Sequence, residues 1–194
     1  MSKLTRNDLM SLEQYSQERS AFREKVMQHK KNRQVLIGDN ATLYFEDRLT
    51  MQYQIQEMLR VERIFEAEGI QEELDAYNPL VPDGSNWKAT FMVEYDDPEE
   101  RKVALQRMVG IEDRVWVQVE GYDKVFAIAD EDLERTTQDK TSSVHFMRFE
   151  LSDAMIAAVK EGARVSMGID HKNYQYTVDG IDDSVRQSLS RDLQ

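Results

Sequence analysis

Apolar and polar residues alternate with the period of an α-helix from Glu46 to Asn78, the longest such stretch in the chain. At about 100° per residue, its apolar side chains fall within one arc of roughly 160°, which is typical of a helix packed into a core. These side chains are Met51, Ile55, Met58, Leu59, Val61 and Phe65. Glu62 lies near the middle of the arc. Because a buried carboxylate is costly without a partner, the pattern predicts a largely buried Glu62 that contacts a cation, another polar side chain or a metal.

The residues before this helix predict two short helices, or one bent helix, followed by a small hairpin. Ser20 has the character of a second helix start. After it, apolar positions recur with helical spacing and place His29 on the buried face. The hairpin is predicted to pair Gln34–Ile37 with Thr42–Phe45.

The long helix contains one position that favours an interruption and is followed by one clear boundary. Gly69 is the predicted interruption, and Asn78 followed by Pro79 is the predicted stop. Residues 79–86 contain two of the three prolines and a glycine, which is typical of a connection between two parts of a chain.

After this boundary the apolar period changes from that of a helix to that of a strand. Alternating runs predict strands over 87–95, 115–119, 124–129, 143–151, 163–169 and 174–178. Helices are predicted over 97–110, 152–160 and 183–193. Asp97 and Ser152 have the character of the N-caps of the first two.

This order of elements predicts an α+β fold. Its helical N-terminal part would consist of two short helices, a small hairpin and a long central helix, packed on a mostly antiparallel sheet with interspersed helices. We expect residues 1–194 to form a single folding unit, with a mainly helical part at 1–78 and an antiparallel sheet with helices at 87–194.

Composition narrows the classes of partner and of site. A net charge of −12 argues against a nucleic-acid backbone or an anionic membrane as the main partner, because those contacts need an excess of Lys and Arg. The chain has no cysteine, so Cys-ligated zinc and iron–sulfur clusters are excluded within it. It also lacks a long apolar run and a signal-type N-terminus, so we expect a cytoplasmic protein.

Seven runs of residues together form a distinctive pattern that extends over nearly the whole chain. They are His29–Arg33, Phe45–Thr50, Gln52–Gln54, Gln56–Leu59, Ile70–Pro79, Lys140–Phe149 and Gly168–His171. This pattern resembles a family of uncharacterised bacterial proteins, a domain of unknown function. The resemblance implies genes beside those for rubrerythrin and for an iron–sulfur oxidoreductase similar to heterodisulfide reductase subunits. It therefore implies a partner in electron transfer or peroxide defence, and it assigns no activity.

Four ionisable side chains form the predicted buried polar site: His29, Glu62, Glu66 and His145. Glu62 and Glu66 are four residues apart on the long helix, and carboxylate-rich helices build di-iron sites in helical bundles. The Glu-x-x-His spacing of such sites is missing, so we predict an ion-pair network with no metal and no cofactor. The alternative is a metal-binding protein or enzyme that uses Glu62 with His29 in a pocket between the helical part and the sheet.

A basic run at the end of the second predicted helix contains Lys30, Lys31 and Arg33. Cations in the last turn of a helix favour the negative end of its dipole, which is one explanation of the run. The other is a docking site for an acidic partner, and these three residues are the predicted partner-binding residues.

No phosphate-binding loop, nucleophile elbow or metalloprotease motif occurs in the chain, so no reaction is predicted. The sequence predicts an accessory or regulatory protein that binds a protein partner, such as the iron–sulfur oxidoreductase or rubrerythrin, in a redox or peroxide-defence system. The alternatives are the metal-binding protein or enzyme above and a small-molecule sensor with the same pocket.

Overall fold

The structure is a computed structural model that describes residues 2–194. A short 3₁₀ turn at Arg6–Asp8 precedes helix α1, Leu12–Lys30. Ser11 caps α1, and its hydroxyl accepts a hydrogen bond from the backbone N–H of Gln14. The prediction of a second helix start at Ser20 is wrong, because no glycine or proline interrupts the run and its buried side chains form one continuous face. These side chains are Tyr15, Phe22 and Val26.

The hairpin and the long helix follow α1. Strands β1, Gln34–Ile37, and β2, Ala41–Glu46, form the predicted hairpin. The long helix is divided into α2, Arg48–Glu62, and α3, Ala67–Tyr77. The break lies at Arg63, which has a left-handed backbone with φ of 55°, and the predicted break at Gly69 is wrong because Gly69 lies inside α3.

The second half of the chain contains seven strands and three α-helices, with short 3₁₀ turns at Asn78–Leu80 and Ile111–Arg114. The strands are β3 (Asn86–Val93), β4 (Val115–Val119), β5 (Val125–Phe126), β6 (Ile128–Ala129), β7 (Val144–Glu150), β8 (Val165–His171) and β9 (Tyr174–Val178). The helices are α4 (Pro98–Arg107), α5 (Asp153–Lys160) and α6 (Asp183–Ser190). Asp97 and Ser152 cap α4 and α5 as predicted. The α+β class and the change from helix to antiparallel strand near Pro79 are confirmed.

The strands form two antiparallel sheets, where the sequence predicted one. The five-stranded sheet has the order β1-β2-β3-β7-β6, and the four-stranded sheet has the order β5-β4-β8-β9. Residues 124–129 were predicted as one strand, but Val125–Phe126 pairs with β4 while Ile128–Ala129 pairs with β7. The chain therefore passes from one sheet to the other at Ala127, whose N–H donates to the carbonyl of Val115 at 2.9 Å.

The main core lies between the inner faces of the two sheets. It contains Trp87, Phe91 and Phe149 from the five-stranded sheet and Val117, Met167 and Ile169 from the four-stranded sheet. A smaller cluster joins α2 and α3 to the N-terminal segment. The helical layer of α1, α2 and α3 faces the outer side of the five-stranded sheet, and side chains of both line a common cavity. No helix within residues 2–194 has the length and apolar content needed to cross a membrane.

Candidate functional site

A buried network of polar side chains surrounds His145 on the inner face of β7. His145 is 0% exposed and lies opposite Phe91 on the neighbouring strand. Its Nδ1 lies 2.5 Å from Oδ2 of Asp130, and its Nε2 lies 2.8 Å from Oγ1 of Thr141. Each ring nitrogen therefore has a side-chain partner, as a buried polar group requires.

Thr141 connects the imidazole to a second carboxylate, that of Glu112. The hydroxyl of Thr141 donates to Oε2 of Glu112 at 3.2 Å, and the hydroxyl of Thr136 donates to Oε1 of the same carboxylate. The result is a chain of groups in the order carboxylate, imidazole, hydroxyl and carboxylate. We call Asp130, His145, Thr141, Thr136 and Glu112 the His145 network.

Asp130 fixes the loop that covers this network. Its backbone is left-handed, with φ of 53°, a conformation that Asp tolerates better than most residues. Its Oδ1 accepts hydrogen bonds from the N–H of Phe146 and from Arg135, each at 3.0 Å. Arg135 also pairs with Asp132 at 2.6 Å and stacks 4.6 Å from the centroid of the Phe146 ring. The polar loop after β6 is therefore held by charge-assisted bonds.

Asp130, His145 and Thr141 are arranged in the order of a hydrolase triad, but Thr141 is not available as a nucleophile. Its hydroxyl is shared among Glu112, Thr136 and His145, and Thr141 is 1% exposed, so a substrate cannot reach it. A triad needs a nucleophile that faces a substrate and whose proton is passed to the histidine. The geometry therefore describes a structural network that ties the loop to the core. The sequence contained the polar residues in the Lys140–Phe149 run, but nothing indicated that Asp130 and Glu112 would meet them.

The predicted buried site of His29, Glu62, Glu66 and His145 is not assembled. Glu62 and Glu66 are both exposed to solvent, so their predicted burial is wrong. The left-handed turn at Arg63 ends α2 directly after Glu62, and the apolar arc therefore stops at Leu59. The two apolar residues predicted to continue it, Val61 and Phe65, are 61% and 65% exposed.

His29 has a separate role at the N-terminus of α2. It is half-buried, and its Nε2 lies 2.5 Å from Oδ2 of Asp47. Asp47 caps α2 by accepting from the N–H groups of Leu49 and Thr50, each at 3.0 Å. Burial acts to raise the pKa of Asp47, but the hydrogen bond from His29 and then the charge of Arg33 outweigh it and lower the pKa below its usual value. His29 therefore orients a helix cap.

Arg33 is buried, so its predicted role at a partner-binding surface is wrong. Its guanidinium donates to the backbone carbonyls of Phe45 and Glu46 and binds the carboxylate of Asp192. Strand alternation accounts for this burial, because Arg33 lies two residues before the buried Val35 of β1. Lys30 is partly exposed and Lys31 is exposed.

An elongated cleft separates the helical layer from the outer face of the five-stranded sheet, and we call it the helix–sheet cleft. Its larger part, the lysine end, has a volume of about 670 Å³. The lining includes Met27 and Lys30 from α1, Lys31 directly after α1, Met51 and Gln54 from α2, Tyr44 and Glu46 from β2, Thr90 and Met92 from β3, and Val144 and Phe146 from β7. Neither lysine forms an ion pair with any residue of the described range 2–194, and Glu46 is held by the hydroxyl of Thr90 at 2.8 Å.

The smaller part, the loop end, has a volume of about 310 Å³. Both parts are lined by Tyr77, Leu80 and Phe146, so the cleft is continuous. Lys88, Arg148, Glu131 and Asp132 add charged groups at the loop end. The pocket that the sequence predicted between the helical part and the sheet is therefore present, although neither His29 nor Glu62 lines it.

Comparison with known proteins agrees with this fold and names a family. The family described as "Protein of unknown function (DUF3501)" matches residues 3–193. The chain belongs to this family. The crystal structure of a novel protein of unknown function from Burkholderia pseudomallei K96243 is similar over 100% of both chains, with 53% identity and a TM-score of 0.95. No curated protein matches the chain.

Two of the runs that resemble the family have clear structural tasks in this DUF3501 member. Lys140–Phe149 supplies Thr141 and His145 to the buried network. In Gly168–His171, a side chain on Gly168 would collide with the indole of Trp116 on β4. The tight contact between β4 and β8 therefore requires glycine at this position.

Proposed function

We propose that this protein is an accessory protein of a redox or peroxide-defence system and that it binds a protein partner at the lysine end of the helix–sheet cleft. The observation that supports the proposal is the pair Lys30 and Lys31, which has no ion-pair partner in residues 2–194 and borders an apolar cleft of about 670 Å³. Two adjacent cations, one partly and one fully exposed, beside an apolar hollow fit a segment that carries acidic side chains next to an apolar anchor.

The walls of the cleft suit a protein segment. Three methionines, Met27, Met51 and Met92, lie among its lining residues. Methionine side chains are flexible and polarisable, and they adapt to the shape of an apolar anchor. The chain as a whole has a net charge of −12, so these lysines are a local exception that would direct an acidic segment to this place.

The redox setting rests on what the resemblance implies, which is a gene beside those for rubrerythrin and for an iron–sulfur oxidoreductase. These two proteins are therefore the partners to test. The proposal assigns no electron carrier to the chain itself. It assigns a binding role, in which this protein positions or regulates the partner.

The experiment compares the wild type with the double variant Lys30→Glu/Lys31→Glu. Lys160→Glu/Lys172→Glu is the matched control, because both of its lysines are exposed, form no ion pair within the described part of the chain and give the same change of charge. Binding to the purified iron–sulfur oxidoreductase and rubrerythrin of the same genome is measured by biolayer interferometry. We expect wild type to bind one of them, the double variant to bind at least about tenfold more weakly, and the control to bind like wild type.

The melting temperature separates a binding effect from a folding effect. Exposed charges contribute about 0–1 kcal/mol each, so the two changes together should leave the melting temperature within about 8 °C of wild type. The variant Met92→Arg fills the cleft without changing either lysine, and it should also weaken binding. Equal binding by wild type and both lysine variants would remove this surface from the interface, and absence of binding to either protein would overturn the proposed partnership.

A further inference from the structure

Lys88 occupies an unusual position at the loop end of the helix–sheet cleft. It lies on the outer face of β3, in register with Glu46 on β2 and Arg148 on β7. Its side chain is half-buried and faces the cavity of about 310 Å³. A cationic side chain on a neighbouring strand therefore stands beside a lysine that is partly removed from water.

Two of the carboxylates around Lys88, those of Glu131 and Glu150, are bound by Arg148 instead. Arg148 donates to both oxygens of Glu131, at 3.0 and 2.8 Å, and to Glu150 at 2.6 Å. Lys88 forms no hydrogen bond and no ion pair with the residues that the structure describes. The amine is therefore left without a partner at the edge of a cavity.

Two effects lower the pKa of Lys88, and they outweigh the opposing charges of Glu131, Asp83 and Glu150, which raise it. Burial is the larger cause that lowers its pKa, and the charge of Arg148 is the next. A lowered pKa increases the fraction of free amine near neutral pH. A lysine that is partly desolvated and lies beside another cation is a known arrangement for a nucleophilic amine.

We propose that Lys88 is an amine nucleophile that forms an imine with a small aldehyde or ketone bound in the loop end of the cleft. Tyr77, Leu80 and Phe146 line the cavity and would hold the apolar body of such a compound. The nitrogen of Lys88 attacks the carbonyl carbon, and the resulting carbinolamine loses its oxygen as water to leave a C=N bond. Addition of water reverses the step, so no oxidant or reductant is needed.

This inference does not depend on the proposed protein partner, because it is tested on the isolated full chain. The protein is incubated with 3-phenylpropanal and sodium cyanoborohydride, which reduces an imine to a stable secondary amine. Peptide mass mapping then gives the rate of labelling at each lysine. We expect Lys88 to be labelled at least about fivefold faster than Lys124, which pairs with Asp170 at 2.8 Å, and than the exposed Lys160 and Lys172.

The pH dependence distinguishes activation from simple exposure. Labelling of Lys88 should reach half of its maximum at a lower pH than labelling of the control lysines. Arg148→Met removes the neighbouring cation and frees Glu131 and Glu150, so it should slow the labelling of Lys88 and move its pH profile upward. Lys88→Arg should remove that label alone, and Lys124→Arg should leave it unchanged.

Labelling that follows exposure, with Lys88 no faster than Lys160, would overturn the proposal. So would a pH profile of wild-type Lys88 that coincides with those of the control lysines. The second result does not require a variant, so it decides the question even if Arg148→Met fails to fold.

Discussion

Arg33 and Asp192, which are 159 positions apart in the chain, form a two-pronged ion pair in the interior. Nη2 of Arg33 lies 2.6 Å from Oδ2 of Asp192, and Nη1 lies 3.3 Å from Oδ1. Both side chains are 1% exposed. The pair joins the start of β1 to the segment after α6. The guanidinium also donates to the carbonyls of Phe45 and Glu46 and to Ser188 in α6. The C-terminal segment is therefore fixed to the hairpin beside the helical layer.

Asp192→Ala should destabilise the fold by about 3–5 kcal/mol, because it leaves the Arg33 guanidinium buried without its counter-charge. The free energy of unfolding in urea measures this. Asp179→Ala is the matched control, since its ion pair with Arg164 is more than half exposed and should contribute about 0–1 kcal/mol.

The double variant Arg33→Met/Asp192→Leu separates a stranded charge from lost packing. It should be more stable than Asp192→Ala, because no charge is left unpaired. If Asp192→Ala unfolds at the same urea concentration as the control, the buried pair does not hold the C-terminal segment.

Asp130→Ala should release the loop over His145. It removes the acceptor for His145 Nδ1, for the N–H of Phe146 and for Arg135, so we expect a loss of about 3 kcal/mol or more. Hydrogen exchange of the amides at 131–141 should become faster. Asp132→Ala also removes a partner of Arg135, but Asp132 is exposed, so its effect should be much smaller. Unchanged exchange in Asp130→Ala would show that the network does not hold the loop.

The contacts of Glu57 predict that the free energy of unfolding falls in acid. The hydrogen bond from Arg19 is the main cause that lowers the pKa of Glu57 to about 2, and the hydrogen bond from Tyr15 adds to it. A lowered pKa means that the contribution is complete above the unfolded value of about 4.5 and is lost as the pH falls toward 2. Glu57→Gln should therefore be less stable than wild type near pH 7, by on the order of 1 kcal/mol after solvent screening.

Unfolding curves of both proteins from pH 7 to pH 2 measure this dependence. The difference between them should shrink below about pH 4.5 and be nearly absent near pH 2. A difference that stays constant over this range would show that the carboxylate charge does not join α1 to α2.

Glu62 and Glu57 lie on the same helix and make a matched pair for testing burial. Glu62 is exposed, so Glu62→Ala should change the free energy of unfolding by less than about 0.5 kcal/mol. Glu57→Ala should cost more, because Glu57 binds Arg19 and the buried hydroxyl of Tyr15. Equal losses of unfolding free energy in urea would contradict the exposure of Glu62 that results from the end of α2 at Arg63.

The sequence predicted what depends on neighbouring residues. The hairpin around Gly38, the caps at Asp97 and Ser152 and the change of period near Pro79 are local signals, and the structure contains each of them. The helical phase around Glu62 failed because a periodic pattern assumes that the helix continues. Arg63 adopts a left-handed backbone, and this conformation is not predicted by the presence of an arginine at that position.

Local pattern and charge therefore determined the class of this protein, the order of most elements and the presence of a cleft between helices and sheet. Only the tertiary structure decided which polar residues meet. Arg33 meets Asp192, His145 meets Asp130 and Glu112 through Thr141, and Lys88 faces a cavity beside Arg148. The physical reason is that periodicity reports which side of an element is apolar, whereas the partner of a buried charge is set by chain segments that are distant in sequence.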